Sequence, residues 1–270
     1  MKIKQIFSDM DGTLLNSVGR VSQKNAGTIR EAKIPFTLVS ARAPMEMKEA
    51  IEKLALISPQ IAFNGGLIFQ KQNDSWKVIS EVFMAFATVK YLLQFIGQNF
   101  PNVSASYYDL NHWYSECLDR GIEMEQKLTG QHVTVIETSK NLAKPKKIFK
   151  IMMITFSPSE MEALKARLFS LQLEDVNIQQ SGKNYLEITA ALAKKSRGIS
   201  YLMESEKLSK ADCAAFGDGH NDLPMFEMVA LPIAMSNAAE EVKEKASFIT
   251  KSNDEDGVAF AVQKILLNEI

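Results

Sequence analysis

Two aspartates two residues apart, Asp9 and Asp11, sit in the run Asp9-Met10-Asp11-Gly12-Thr13, directly after an apolar stretch holding Ile3, Ile6 and Phe7. Residues two apart on an extended strand point the same way, so a strand carried through Asp11 projects both carboxylates together. Carboxylates that close repel unless a cation or a shared proton lies between them. A hard divalent cation such as Mg²⁺ takes oxygen ligands and suits such a pair. Gly12 allows a turn at positive φ, and the Thr13 hydroxyl can bond the loop that opens there. An exposed acidic turn is the plain alternative, since Asp and Gly are common turn residues. A calcium loop is excluded, because Leu14 stands where an EF-hand counted from Asp9 needs glycine.

A second acidic group stands far along the chain. The apolar run 211–216 reads as a strand and stops at Gly217-Asp218-Gly219-His220-Asn221-Asp222. In open parallel sheets, ligands sit outside the carboxyl ends of the strands. Neighbouring strands would therefore gather Asp9, Asp11, Asp218 and Asp222 in one place, and such a group requires a divalent cation. A third strand, 36–39, ends at Ser40, whose hydroxyl and following backbone N–H groups suit phosphate oxygens at a helix start. Lys195 opens a helix before the second acidic loop and is placed to bring a cation to the same spot.

The elements that must hold these residues alternate at both ends of the chain. After strand 3–8 come a helix over 22–33, the strand 36–39, a helix over 45–56 and a short strand at 61–63. Asn64-Gly65-Gly66 is a turn signal, followed by a hairpin of 67–69 with 77–79 around Asn73-Asp74. The last third returns to the pattern, with helices over 194–207, 223–229, 238–246 and 257–267 and strands at 211–216, 231–235 and 248–250. Alternation of this kind argues for a parallel sheet with helices on its faces.

The middle lacks strict alternation. Helices over 82–99, 118–128 and 157–171 mix with strands at 103–108, 113–117, 132–137, 148–156, 176–180 and 185–189, which suggests an α+β unit. Ser157-Pro158-Ser159-Glu160 has the form of a capping box. The fold class expected is α/β: a Rossmann-like parallel-sheet core with an inserted α+β domain. The core takes residues 1–83 and 186–270, and the insert takes 84–185. Tyr107, Tyr108, Trp113 and Tyr114 read as the insert's own core.

Composition narrows the class. The chain has 270 residues, 46% of them hydrophobic, which is enough for a sizeable core. Its net charge of −1 gives no basic balance to attract nucleic acid or an anionic membrane. No run reaches the ~20 apolar residues a membrane span needs. Cys117 and Cys213 make no disulfide framework, and no signal-peptide pattern opens the chain, so a cytoplasmic protein is expected.

These motifs and their order resemble the haloacid dehalogenase-like superfamily, and within it the Cof-type hydrolases with a type IIB cap. Asp9-x-Asp11-Gly12-Thr13 resembles the first motif, Ser40-Ala41-Arg42 the second, Lys195 the third and Gly217 to Asp222 the fourth. Asn64-Gly65-Gly66 resembles the family's turn beside the cap, and Ala234 to Ala238 with Asp256-Gly257-Val258 its C-terminal run. The resemblance implies that Asp9 attacks phosphorus and that Asp11 protonates the leaving oxygen and then activates water. It implies Mg²⁺ held by Asp9, the Asp11 carbonyl and Asp218, with Asp222 supporting that shell through water or Lys195. Thr13, Ser40, Ala41, Arg42, Asn64, Gly65, Lys195 and Asn221 become the phosphate- and substrate-binding candidates. His220 stands where the family varies, and an ordinary loop side chain is the simpler reading than a ligand. Lys194 adjoins Lys195, and alignment alone chooses between them. The partner implied is a small phosphorylated metabolite such as a sugar phosphate, met by a monomer or weak homo-oligomer. A phosphomutase and a non-catalytic phosphometabolite-binding module remain the alternatives.

Overall fold

The computed structural model describes residues 2–73 and 75–270. The tip of the expected hairpin reaches Asp74, and the core range begins at position 1; both positions lie outside the described residues. The chain opens with β1 (Gln5–Ser8), α1 (Gln23–Ala32), β2 (Phe36–Leu38), α2 (Pro44–Lys53), β3 (Gln60–Ala62), β4 (Leu67–Gln72) and β5 (Ser75–Glu81). It continues through α3 (Phe86–Asn99), β6 (Ser104–Tyr108), β7 (Trp113–Ser115), α4 (Arg120–Thr129), β8 (Thr134–Val135), α5 (Thr138–Asn141), β9 (Lys150–Ile154), α6 (Pro158–Ser170), β10 (Val176–Gln180) and β11 (Tyr185–Ala190). It closes with α7 (Lys195–Ser205), β12 (Cys213–Gly217), α8 (Leu223–Phe226), β13 (Leu231–Ala234), α9 (Glu240–Lys243), β14 (Phe248–Ile249) and α10 (Gly257–Leu266). Two compact units result, one of 1–42, 47–80 and 194–270, the other of 43–46 and 81–193.

The first unit is built on a parallel sheet in the order β14-β13-β12-β1-β2. Strands buried on both faces need apolar side chains on both, and β1 and β12 are buried at every position. β1 lies between β12 and β2, with Ser8 level with Phe216 on one side and Leu38 on the other. The loops after these strands therefore leave the same rim of the sheet, the place where ligands of such sheets bind. α1 starts where its sequence says it should, because the Ser22 hydroxyl accepts the Asn25 N–H at 2.9 Å.

One expectation near the site fails. β1 stops at Ser8 and does not carry through Asp11. The Met10 carbonyl accepts the N–H groups of Leu15 (2.8 Å) and Thr13 (3.3 Å), closing a turn with Gly12 at φ +76°. That turn takes Asp11 off the strand direction, so Asp9 is buried and Asp11 exposed. A Cβ at Gly12 would collide with the Asp218 carboxylate, so the close approach of the two acidic loops requires glycine here.

The second unit carries a six-stranded sheet in the order β10-β11-β9-β6-β7-β8, antiparallel except between β7 and β8. One face packs Tyr107, Tyr114, Ile151, Met153, Leu186 and Ile188 against Leu92 and Ile96 of α3 and Leu164 and Leu168 of α6. Tyr108, Trp113, Lys150 and Glu187 alternate onto the opposite face and are also buried. All four of the aromatics expected in this core are buried. The capping box at Ser157 is only half made: its hydroxyl accepts the Glu160 N–H at 3.3 Å, but the Glu160 carboxylate takes the Thr155 hydroxyl instead. β8 covers two residues of the longer strand expected, and a short helix, α5, follows where none was expected. The Glu116 carboxylate accepts the Thr138 N–H at 2.9 Å at the start of that helix, a pairing that local periodicity does not announce.

Candidate active site

Asp9, at the end of β1, Lys195, in the first turn of α7, and Asp222, after β12, form one buried charge cluster. The Lys195 ammonium donates to Asp9 Oδ1 at 2.5 Å and to Asp222 Oδ1 at 2.7 Å. Lys194 is exposed, so position alone selects Lys195 for this cluster. Asp222 Oδ2 accepts the N–H groups of Asp218 and Gly219, both at 3.0 Å, which ties the second acidic loop into a tight turn. Asp218 receives the Thr13 hydroxyl on Oδ1 at 2.7 Å. Oxygen atoms of Asp9, Asp218 and Asp222 all lie within 4.8 Å of one another.

Burial sets the electrostatics. Desolvation pushes the Asp9 carboxyl well above the ordinary carboxylate range; Lys195 opposes this, and Asp222, Asp11 and Asp218 add to it. Burial likewise raises Asp218 to about 6, against the Thr13 hydrogen bond, with Asp222 raising it further. Burial alone would lower the pKa of Lys195, but the Asp222 and Asp9 carboxylates outweigh it and keep the ammonium charged. Two carboxylates raised by dehydration first and by neighbouring carboxylates second are what a bound cation relieves. The donor set also fits a hard cation. Among the described residues, Asp9 Oδ2 and Asp218 Oδ2 accept no hydrogen bond from protein. Both Asp222 oxygens already meet protein donors, Oδ1 the Lys195 ammonium and Oδ2 the Asp218 and Gly219 N–H groups.

The other candidates divide. Asp11 does not join the buried cluster through its side chain. Arg42 grips it instead, with Nε to Oδ2 at 2.9 Å and Nη2 to Oδ1 at 2.6 Å, a two-pronged pair at the rim. Ser40 is fully buried after β2, and its hydroxyl accepts the Arg42 N–H at 3.1 Å, which shapes the loop carrying Ala41 and Arg42. Thr13 was a substrate-binding candidate, but its hydroxyl is buried and spent on Asp218. Gly65 was another, but Arg197 Nη1 donates to its carbonyl at 2.8 Å, and a Cβ there would strike the Lys194 carbonyl. Its φ of +94° and tight contact make it a structural turn residue. Asn64 precedes it at φ +54°, with its N–H on the Ser40 carbonyl at 2.8 Å and its Oδ1 buried without a partner among the described residues. Asn221 lies half-buried between His220 and Asp222. His220 is exposed, with Nε2 3.9 Å from Glu241 Oε2.

Sequence reasoning missed several contributors. Arg197 also donates to the Ser80 hydroxyl at 2.7 Å, and Asn237 donates to the Gly12 carbonyl at 2.8 Å. Arg197 sits two residues after Lys195 in the same helix, the one local signal that could have drawn attention to it.

The family model for haloacid dehalogenase-like hydrolases matches residues 6–262. The chain belongs to that family. It is 29% identical to a 5-amino-6-(5-phospho-D-ribitylamino)uracil phosphatase of Bacillus subtilis over 98% of both chains. A solved haloacid dehalogenase-like hydrolase from Bacteroides thetaiotaomicron is 26% identical, with a TM-score of 0.89 over 98% of this chain and 100% of that one. A Thermotoga maritima structure is also 26% identical, with a TM-score of 0.85 over 97% of each chain. The fold class follows: a parallel-sheet hydrolase core with a separate antiparallel sheet in the same chain. Among the described residues, no helix is long and apolar enough to cross a membrane.

Proposed function

We propose that this hydrolase is a Mg²⁺-dependent phosphatase of small phosphorylated metabolites, sugar phosphates among them. The convergence of Asp9, Asp218 and Lys195 from three separate stretches of chain carries this reading. Asp9 attacks phosphorus through one carboxylate oxygen, forming an O–P bond as the bond to the leaving oxygen breaks, and its other oxygen is left for Lys195 and the cation. Asp11 gives its proton to that oxygen, then takes one from the water that cleaves the aspartyl phosphate and restores the Asp9 carboxylate. For this, Asp11 must exchange the grip of Arg42 for the substrate. Lys195 and the loop after Ser40 hold phosphoryl oxygens, with Asn221 beside them.

Asp9, Asp218 and the Asp11 carbonyl would hold the cation, with Asp222 supporting them through Lys195. The cation would offset the charge that opposes an anion attacking an anion. Residues 1–83 and 186–270 form the catalytic core in this reading, and 84–185 the cap that selects the substrate. The relative that cleaves a phosphorylated ribityl compound supports a small, hydroxyl-rich substrate.

The test is phosphate release from an aryl phosphate and from a panel of sugar phosphates, with Mg²⁺ and then with chelator. Chelation should abolish release, and Asp9→Asn should lower it by at least roughly 10³-fold with the fold intact. Release that ignores chelation removes the cation, and substantial turnover by Asp9→Asn removes the nucleophile. Isomerised product without free phosphate would mark a phosphomutase.

A further inference from the structure

Two asparagines far from the acidic motifs reach the turn that those motifs depend on. Asn237 Nδ2 donates to the Gly12 carbonyl at 2.8 Å. Asn237 Oδ1 accepts the Asn253 N–H at 3.0 Å, and Asn253 Nδ2 donates to the Leu15 carbonyl at 2.9 Å. The Asn237 amide therefore bridges the Gly12 carbonyl and the Asn253 backbone, and the Asn253 side chain ends on the Leu15 carbonyl, so the two residues hold carbonyls at both sides of Thr13, the residue whose hydroxyl orients Asp218. The same stretch continues the grip: Asp254 Oδ1 accepts the Ser17 N–H at 2.8 Å, and Asp256 Oδ1 accepts the Ser22 hydroxyl at 2.5 Å.

We infer that Asn237 and Asn253 are positioning residues, a two-ended clamp that fixes the turn from Gly12 to Leu15 and through it the places of Asp11, Thr13 and Asp218. The need for a clamp follows from the turn itself. Gly12 stands at φ +76°, where glycine has more freedom than any other residue, and its own N–H and carbonyl belong to no helix or strand. Within the turn, the Met10 carbonyl accepts both the Leu15 N–H at 2.8 Å and the Thr13 N–H at 3.3 Å. Both internal bonds rest on that one carbonyl, and the Gly12 and Leu15 carbonyls are fixed from outside the turn, by Asn237 and Asn253. Asn suits the task because one side chain donates to a carbonyl and accepts an N–H at once. Aspartate at position 237 would keep the acceptor for Asn253 and lose the donor to Gly12.

The inference rests on the proposed function for its kinetic and Mg²⁺ arms, and hydrogen exchange tests it independently. Asn237→Ala, Asn237→Asp and Asn253→Ala are compared with the native chain in phosphate release, in hydrogen exchange over residues 10–16 and in the rise of Tm on adding Mg²⁺. Val262→Ala, in the buried face of α10, supplies a matched loss of stability away from the turn. Asn237→Ala and Asn237→Asp should both lower kcat roughly tenfold, with KM held within about twofold. Exchange over 10–16 should quicken, and the Mg²⁺-induced rise in Tm should shrink. Asn253→Ala removes only the bond to the Leu15 carbonyl and should do the same less strongly, and the double variant, which frees both carbonyls, should lose more than either single variant.

Unchanged exchange in both alanine variants overturns the clamp whatever the activity. Faster exchange with kcat unchanged overturns it as a positioning device, as does Val262→Ala reproducing both effects. A native chain that releases no phosphate sinks the proposed function, while faster exchange in the variants would still uphold the clamp.

Discussion

The two sheets of this molecule bury charge in different ways. In the parallel sheet, charged groups stand beyond the strand ends, where loops from β1 and β12 bring Asp9 and Asp222 onto Lys195 by hydrogen bonds and place an Asp218 oxygen within 4.8 Å of theirs. In the antiparallel sheet, Lys150 and Glu187 stand within strands β9 and β11, on the face opposite the apolar core, with Nζ and Oε1 3.9 Å apart and the ammonium 4.6 Å from the Tyr108 ring. Parallel topology concentrates chemistry at one rim because every strand points the same way. Antiparallel topology spreads its polar residues along alternate positions of one face. The first arrangement leaves compact motifs in sequence; the second leaves single residues separated by apolar ones.

The largest effect that would test this contrast belongs to Lys195. Replacing it by alanine leaves Asp9 and Asp222 buried without their shared cation. Breaking a buried pair by removing one partner costs roughly 3–5 kcal/mol. Denaturant unfolding without divalent cation should show that loss, and hydrogen exchange should place it in β1 and β12. Added Mg²⁺ should recover part of it, since a ligand that binds only the folded state stabilises that state. A loss well under 1 kcal/mol would mean that the cluster relaxes or takes up a proton without help, and that Lys195 is no structural keystone.

Leu164 provides the counterpart in the second unit. It is fully buried in α6 against the apolar face of the sheet. Leu164→Ala should cost about 2–5 kcal/mol through lost burial and the cavity left behind. Faster exchange should appear in β9 and β11, with exchange in β1 and β12 unchanged. If both sheets loosen together, the two units share one cooperative transition and the contrast drawn here is one of layout alone.

The same contrast explains what the sequence made readable. Asp9 and Asp218 could be placed together because each follows an apolar strand at a recognisable stop, and strand ends in a parallel sheet meet at one rim. Helix α1 could be placed because Ser22 is a local cap. The strand through Asp11 failed, since a tight turn closed by the Met10 carbonyl competes with strand continuation, and one glycine decides the outcome. Arg42 on Asp11, Arg197 on Gly65, and Asn237 on Gly12 were not legible. Each is a side-chain contact between residues distant in sequence, with no periodic pattern behind it. Thr13 and Gly65 carried motif positions, but the structure spends them on holding other parts of the site in place.

The smallest effect concerns Asp218, whose carboxyl is raised from an ordinary 3.8 to about 6 by burial, with Asp222 adding to the rise against the pull of Thr13. The sign follows from which state holds the proton. Between those two values the folded, cation-free chain keeps a proton that the unfolded chain has released, so stability from this group is greatest at low pH and falls as pH rises through about 6. A cation must displace the same proton. From this group alone, its affinity should weaken as pH falls through about 6, by up to about tenfold per unit, the limit for one proton displaced. The Mg²⁺-induced rise in Tm should accordingly be larger at pH 7.5 than at pH 5, while the cation-free Tm moves the opposite way wherever this group dominates. Asp218→Asn, which carries no titrating proton, should flatten the pH dependence of the cation response and weaken that response at every pH. A response to Mg²⁺ in Asp218→Asn as steep and as large as in the native chain would place the cation elsewhere and separate the rim of the parallel sheet from the chemistry proposed for it.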